Sequence, residues 1–166
     1  SISGDCAEPG VYEFPFGISV NDILKSVGAK DTQAVLVAGP SGQFVPPDDF
    51  NRTICFDDLA TGGAIVIFDH TRNLLSIVDE YMKFFVEESC GYCTPCRVGN
   101  TILKKHIVDI INGKGIPQDI PFLKQLGTSI KATSRCGLGQ TSPNPILTTL
   151  EKFPDLYTSR LSDSAD

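Results

Sequence analysis

The run Glu88-Ser89-Cys90-Gly91-Tyr92-Cys93-Thr94-Pro95-Cys96-Arg97 constrains this chain more than any other stretch, because its three cysteines repeat as C-x2-C-x2-C. A fourth cysteine, Cys136, stands far downstream in Ser134-Arg135-Cys136-Gly137-Leu138-Gly139. A single zinc ion usually takes its ligands as two separated pairs, each gripping one edge of a tetrahedron. Three thiols round one tight turn with a remote fourth suit the corners of a larger object. A cubane [4Fe–4S] cluster needs four thiolates, one per iron. The spacing therefore favours iron–sulfur, with a zinc-stapled, non-redox interaction module as the alternative.

The rest of the composition is that of an ordinary globular chain. Of 166 residues, 41% are hydrophobic and 20% charged, enough to bury a core without disulfides. The net charge of −6 argues against nucleic acid as a partner, which calls for a basic face. The longest apolar run, Ala64-Ile65-Val66-Ile67-Phe68, has the length of a strand, not of a membrane span, and no leader pattern opens the chain. Exposed cluster ligands need a reducing compartment, so the expected location is cytoplasmic.

Hydropathy divides the chain into an α+β front half, 1–70, and a helical second half, 71–166. In the front half Gly10-Val11-Tyr12-Glu13-Phe14-Pro15 alternates as a strand does. Ser19, with Asp22 three residues on, caps a helix from Val20 to Val27 that Gly28 stops. Ala34 to Ala38 and Ala64 to Phe68 read as strands, and Gly39-Pro40-Ser41-Gly42 turns the chain into Gln43-Phe44-Val45. Together these predict a small mixed sheet with a helix across it, close to a β-grasp. After Asp69 the apolar period lengthens to that of a helix. Leu74 to Phe85 form the first helix, capped by Thr71 or Asn73. Pro95 starts the second, Asp119 caps the third and Pro145 begins the fourth, giving a four-helix bundle. Cys136 falls in a glycine-rich loop, and the tail from Ser159 is polar and expected to be loose.

The cysteine turn places Cys93 and Cys96 at a helix start, where free N–H groups and the positive dipole end favour a negatively charged cluster. Gly91, Gly137 and Gly139 allow close backbone approach, and Arg97 and Arg135 add positive charge nearby. Cys6 and Cys55 stand alone and read as ordinary thiols. His70 and His106 have no Cys or His at ligand spacing and are assigned to packing or surface. Gly39 to Gly42 lacks the lysine and glycine spacing of a phosphate loop, and Asp57-Asp58 reads as a solvated turn. No catalytic side-chain set emerges.

The stretch Glu88 to Arg97 with Gly99, then Cys136-Gly137-Leu138-Gly139 and Pro145, resembles the C-terminal part of the NADH-binding flavoprotein subunit of respiratory complex I. That family includes the diaphorase subunits of soluble NAD-reducing [NiFe]-hydrogenases and of NAD-linked formate dehydrogenases. Ser134 to Pro154 looks most like the hydrogenase diaphorase branch. Gly10 to Glu13 and Gly39 to Gly42 are similar to the family's soluble-ligand-binding β-grasp domain. The resemblance implies that Cys90, Cys93, Cys96 and Cys136 ligate a [4Fe–4S] cluster. It implies single-electron exchange with FMN, the FMN and NAD(H) sites lying in a preceding domain that this chain lacks. It also implies partner iron–sulfur subunits in a multi-subunit oxidoreductase.

Overall fold

The computed structural model describes residues 1–162, which divide into two compact units, Ser1–Arg72 and a second beginning at Asn73. The first unit is built on a mixed four-stranded sheet. Its strands are β1 (Ile2–Gly4), β2 (Thr32–Val37), β3 (Gln43–Val45) and β4 (Ile65–Asp69), in spatial order β1-β4-β2-β3. β1 runs parallel to β4, and β2 runs antiparallel to both β4 and β3. Val35 lies opposite Val45 on one side and Ile67 on the other. The central position of β2 explains its unbroken apolar run: Ala34, Val35, Leu36 and Val37 are all buried. Helix α1 (Val20–Ser26) lays Val20, Ile23 and Leu24 into the same core as Val35, Val37 and Ile67. Ser19 caps it as expected, its Oγ accepting from the Asp22 N–H at 3.1 Å and donating to the Asp22 carboxylate at 2.7 Å.

The first strand is not where alternation placed it. Gly10 makes only an isolated antiparallel bridge with Ile2, and residues 11–14 pair with no strand. The alternation instead marks a loop with one apolar side: Tyr12 and Phe14 stack with ring centroids 5.6 Å apart and pack on the core, while Val11 is 88% exposed. Flanking Pro9 and Pro15 lack the N–H groups a ladder uses.

In the second unit, α2 (Leu74–Glu87), α3 (Asn100–Ile111), α4 (Asp119–Thr133) and α6 (Asn144–Lys152) are the longer helices, with short α5 (Gly137–Thr141) and α7 (Asp155–Thr158). α2 packs on α3, and α4 packs on α3 and α6. Buried Val78, Met82 and Phe85 of α2, Leu103 and Ile107 of α3, and Leu123 and Ile130 of α4 carry the helical period into the core. Asn73, not Thr71, caps α2: its Oδ1 accepts from the Leu75 and Ser76 N–H groups at 3.1 and 3.4 Å. Thr71 instead donates to the Asp69 carboxylate.

Three further expectations change. Asp119 lies inside the first turn of α4 and does not cap it, accepting from the Ile116 N–H at 2.9 Å and meeting His106 Nδ1 at 2.8 Å. Cys136 is not in an irregular loop but immediately precedes α5. Of the tail, Leu161 bridges Gly115 and the Ser162 N–H donates to the Gly115 carbonyl at 2.8 Å, while 163–166 lie outside the described residues. Among the described residues no helix is long and apolar enough to cross a membrane.

One ion pair fastens the two parallel strands of the first unit. Arg72 grips the Asp5 carboxylate with Nε at 2.9 Å and Nη2 at 2.6 Å, and the Asp69 N–H adds a third donor at 3.2 Å. The Arg72 hydrogen bond is the main reason the Asp5 carboxyl is held below the usual carboxylate range. Its folded pKa is depressed, so its contribution is present above the unfolded value of about 3.9 and fades as pH falls through the folded one. Asp5→Asn is therefore expected to lower stability near neutral pH. The gap between variant and parent should close below about pH 4, as measured by urea unfolding across a pH series.

Candidate metal centre

The centre is assembled from two segments of the second unit. The first begins where α2 ends at Glu87. Gly91, at φ +77°, adopts the left-handed conformation that lets the chain double back between Cys90 and Cys93. From Pro95 to Gly99 the chain makes one π-helical turn before running into α3. Pro95 does begin the helical run, but a wider turn replaces the first α-turn, a departure common at functional sites. Cys96 sits on it and is buried, Cys93 is half-buried, and Cys90 is exposed on the preceding loop. The second segment is the end of α4. Ser134 leaves the helix in extended conformation, and Cys136 leads into α5.

Cys90, Cys93, Cys96 and Cys136, all free thiols, line one cavity of about 80 Å³. Cys6 and Cys55 lie in the other unit, Cys6 against its core and Cys55 within 3.5 Å of Thr53 Oγ1. The histidines stay outside the centre as expected. His70 pairs with Asp31 at 2.9 Å, and His106 pairs with Asp119 and lies 4.6 Å from the Phe122 ring.

The walls fit a cluster. Ser134 lines the cavity and is buried, and its hydroxyl has no hydrogen-bond partner in the protein. A buried hydroxyl of this kind is costly unless something in the cavity accepts from it. Gly139 completes the wall: a Cβ there would come within 2.6 Å of Ser134 Cβ and 3.3 Å of Cys96 Cβ. Cys96 Sγ has two polar neighbours, Ser89 Oγ at 3.3 Å and Asn100 Nδ2 at 3.5 Å. Among the described residues no three Cys, His, Asp or Glu side chains converge closely enough to hold a single metal ion. Four sulfur donors round one cavity suit a multi-metal cluster.

The arginines act on the loops. Arg97 Nη1 donates to the Gly91 carbonyl, closing the Cys90–Cys93 turn. Arg135 lies over the Tyr92 ring, 5.1 Å from its centroid, and donates to its hydroxyl at 3.3 Å, joining the two cysteine segments at the surface.

Sequence reading missed Ser134, Asn100 and Ser142. Asn100 was within reach of it, since it follows Cys96 by four residues on a continuing helix and so shares its face. Ser134 and Ser142 carry no periodic signal.

Residues 76–160 match the model of the NADH-ubiquinone oxidoreductase-F iron–sulfur binding region. The chain is 48% identical to the NAD-reducing hydrogenase HoxS subunit alpha of Cupriavidus necator, over 97% of this chain and 27% of that subunit. It is 34% identical to the NADP-reducing hydrogenase subunit HndC of Solidesulfovibrio fructosivorans, over 98% of this chain and 36% of that subunit. It is 31% identical to an NADH-quinone oxidoreductase subunit of Streptomyces coelicolor, over 98% and 38% respectively. The chain thus spans well under half the length of these curated relatives. The crystal structure of an NAD⁺-reducing [NiFe]-hydrogenase in the H2-reduced state superposes with a TM-score of 0.94 at 34% identity, covering 99% of this chain and 29% of that one. The chain belongs to the NADH-ubiquinone oxidoreductase-F iron–sulfur binding region family, whose cofactor is a [4Fe–4S] cluster.

Proposed function

We propose that this chain is the electron-relay segment of an NADH:acceptor oxidoreductase of the hydrogenase-diaphorase or complex I type, and that Cys90, Cys93, Cys96 and Cys136 hold its [4Fe–4S] cluster. The observation that carries the reading is the meeting of four free thiols, drawn from two distant segments, round one cavity. A cluster of this kind supplies one-electron transfer and no hydride chemistry. The four thiolates use every iron position, so the side chains here bind and tune and do not position a substrate. Cys96 and Ser134 form the buried wall and exclude water from it. Cys90 and Cys136 are exposed, on the side where electrons enter or leave.

The flavin and nicotinamide sites belong, on this reading, to the part of the protein that the relatives have beyond this segment. The names of those relatives, NAD-reducing hydrogenase and NADH-quinone oxidoreductase, support NAD(H) as the ultimate two-electron partner, and the proposal puts FMN between it and the cluster. The remaining partners are the flavin-bearing domain and neighbouring iron–sulfur subunits, in the reducing environment of the cytoplasm.

Metal analysis of anaerobically prepared chain is expected to give about four irons and four acid-labile sulfides per chain. Serine at Cys90, Cys93, Cys96 or Cys136 should lose or convert the cluster, while serine at Cys6 or Cys55 leaves its spectrum intact. Stoichiometric zinc without sulfide refutes the reading in favour of a structural metal.

The cavity wall gives a second expectation. Gly139→Ala pushes a methyl group against Ser134 and Cys96, so the metal-free chain should lose about 1–3 kcal/mol of stability in urea. Iron incorporation should fall in parallel. Unchanged stability and full loading would mean that the wall yields freely.

A further inference from the structure

We infer that Asn100, held in place by Ser142, donates a hydrogen bond to the sulfur of Cys96 and thereby raises the reduction potential of the centre. The inference rests on the reading that Cys96 is a cluster ligand.

Asn100 and Ser142 are both fully buried. A buried amide has to satisfy both its ends within the protein. Asn100 Oδ1 accepts from Ser142 Oγ at 2.8 Å, and Asn100 Nδ2 lies 3.5 Å from Cys96 Sγ. Which end of an amide carries the nitrogen is settled by its neighbours. A thiolate ligand has no proton to give, so the end facing Cys96 has to be the donating NH2. The hydroxyl of Ser142 serves the carbonyl end. The orientation is thus fixed from the Cys96 side once that thiol is deprotonated, and the Ser142 hydroxyl, which can donate or accept and also lies 3.1 Å from the Gly139 carbonyl, follows it.

The placement of Ser142 is what makes this more than a chance contact. Cys136 immediately precedes α5 and Ser142 immediately follows it, with the Ser142 N–H donating to the Leu138 carbonyl at 2.8 Å. The short helix that begins at one thiol therefore ends at the residue that holds the amide against another. Cys136 and Cys96 are joined across the cavity and again through Ser142 and Asn100.

Cys96 is the one thiol of the four that is buried, so water is least able to solvate its charge. Reduction adds negative charge to the centre. A fixed N–H donor at a sulfur stabilises the reduced form more than the oxidised one and shifts the potential upward, more strongly where the surroundings are apolar. Asn100 acts on the ligand directly, and Ser142 is a positioning residue that acts through it.

The test uses the cluster-loaded chain, with midpoint potentials from EPR-monitored titration. Asn100→Leu removes the donor at similar volume, and Ser142→Ala leaves the donor present but unheld. Both are expected to titrate at lower potential than the parent, with the larger shift in Asn100→Leu. In the parent, selective 15N-asparagine labelling should give a 15N coupling to the reduced centre in pulsed EPR that Asn100→Leu abolishes. Loaded variants that titrate with the parent potential overturn the inference, even if urea unfolding shows them to be less stable. Should Asn100→Leu fail to take up iron, an unshifted Ser142→Ala together with no 15N coupling in the parent overturns it equally. Zinc without sulfide in the parent would remove the cluster reading and this inference with it, an outcome distinct from an iron-loaded chain whose potential does not move.

Discussion

The contact on which the centre depends is the packing of Ile130 against Gly99. A Cβ on Gly99 would stand 2.6 Å from Ile130 Cδ1 and 2.7 Å from Cγ1, inside any allowed separation. Gly99 closes the π-helical turn that carries Cys96, and Ile130 lies in the last turn of α4, just before Ser134 and Cys136. The absence of one side chain therefore sets how near the two cysteine segments approach. Ile130 is itself fully buried, so the contact is part of the core and not a surface accident. Gly139 repeats the device within the cavity, where the missing Cβ leaves room for Ser134 beside Cys96. At Gly127 the same economy admits Leu147 and Pro143 against α4, which seats α6.

This arrangement explains which parts of the molecule could be read from the chain alone. The cysteine pattern was legible because three thiols at C-x2-C-x2-C spacing with a remote fourth are distinctive in themselves, and the fold brings those four to one cavity. Helices α2 and α3 were legible because a long apolar period has no competing interpretation, and Ser19 because a capping hydroxyl followed by an acid three residues on satisfies two groups at once. The failures have equally physical causes. β1 is Ile-Ser-Gly, three residues with a single apolar side chain, and its pairing with β4 is decided by a partner more than sixty positions away. The alternation of 10–15 was real, but it described a loop seated on a core, because burial of every second side chain does not require a ladder.

The π-helical turn was hidden for a different reason. An α-turn and a π-turn present nearly the same sequence, and the turn here packs its Gly99 against Ile130, a partner no local pattern announces. Asp119 shows the same limit in polar form. Read locally, an acid at a helix start is a cap. In the fold its two oxygens go instead to the Ile116 N–H and to His106, a residue of the preceding helix. Tertiary partners reassigned a side chain that local sequence had given a different role.

The fold leaves the four thiols in an uneven environment. The inner side is buried at Cys96 and carries neutral polar groups: Asn100 and Ser89 beside its sulfur, and the unpartnered hydroxyl of Ser134. The outer side is wet, with Cys90 and Cys136 exposed and Arg135 resting on the Tyr92 ring. Water and mobile counter-ions screen charge on the outer side, so substitutions there change the field at the sulfurs little. On the inner side each donor is fixed by packing and acts in a medium of low polarity, where a single hydrogen bond carries more weight. On the proposed reading, the two jobs of a relay centre are thereby separated in space. The buried half, tied into the helical core through Ser142 and Gly139, would then govern how readily an electron is held. The exposed half, built on a loop that Arg97 and Arg135 keep closed, stays accessible to whatever delivers or receives it.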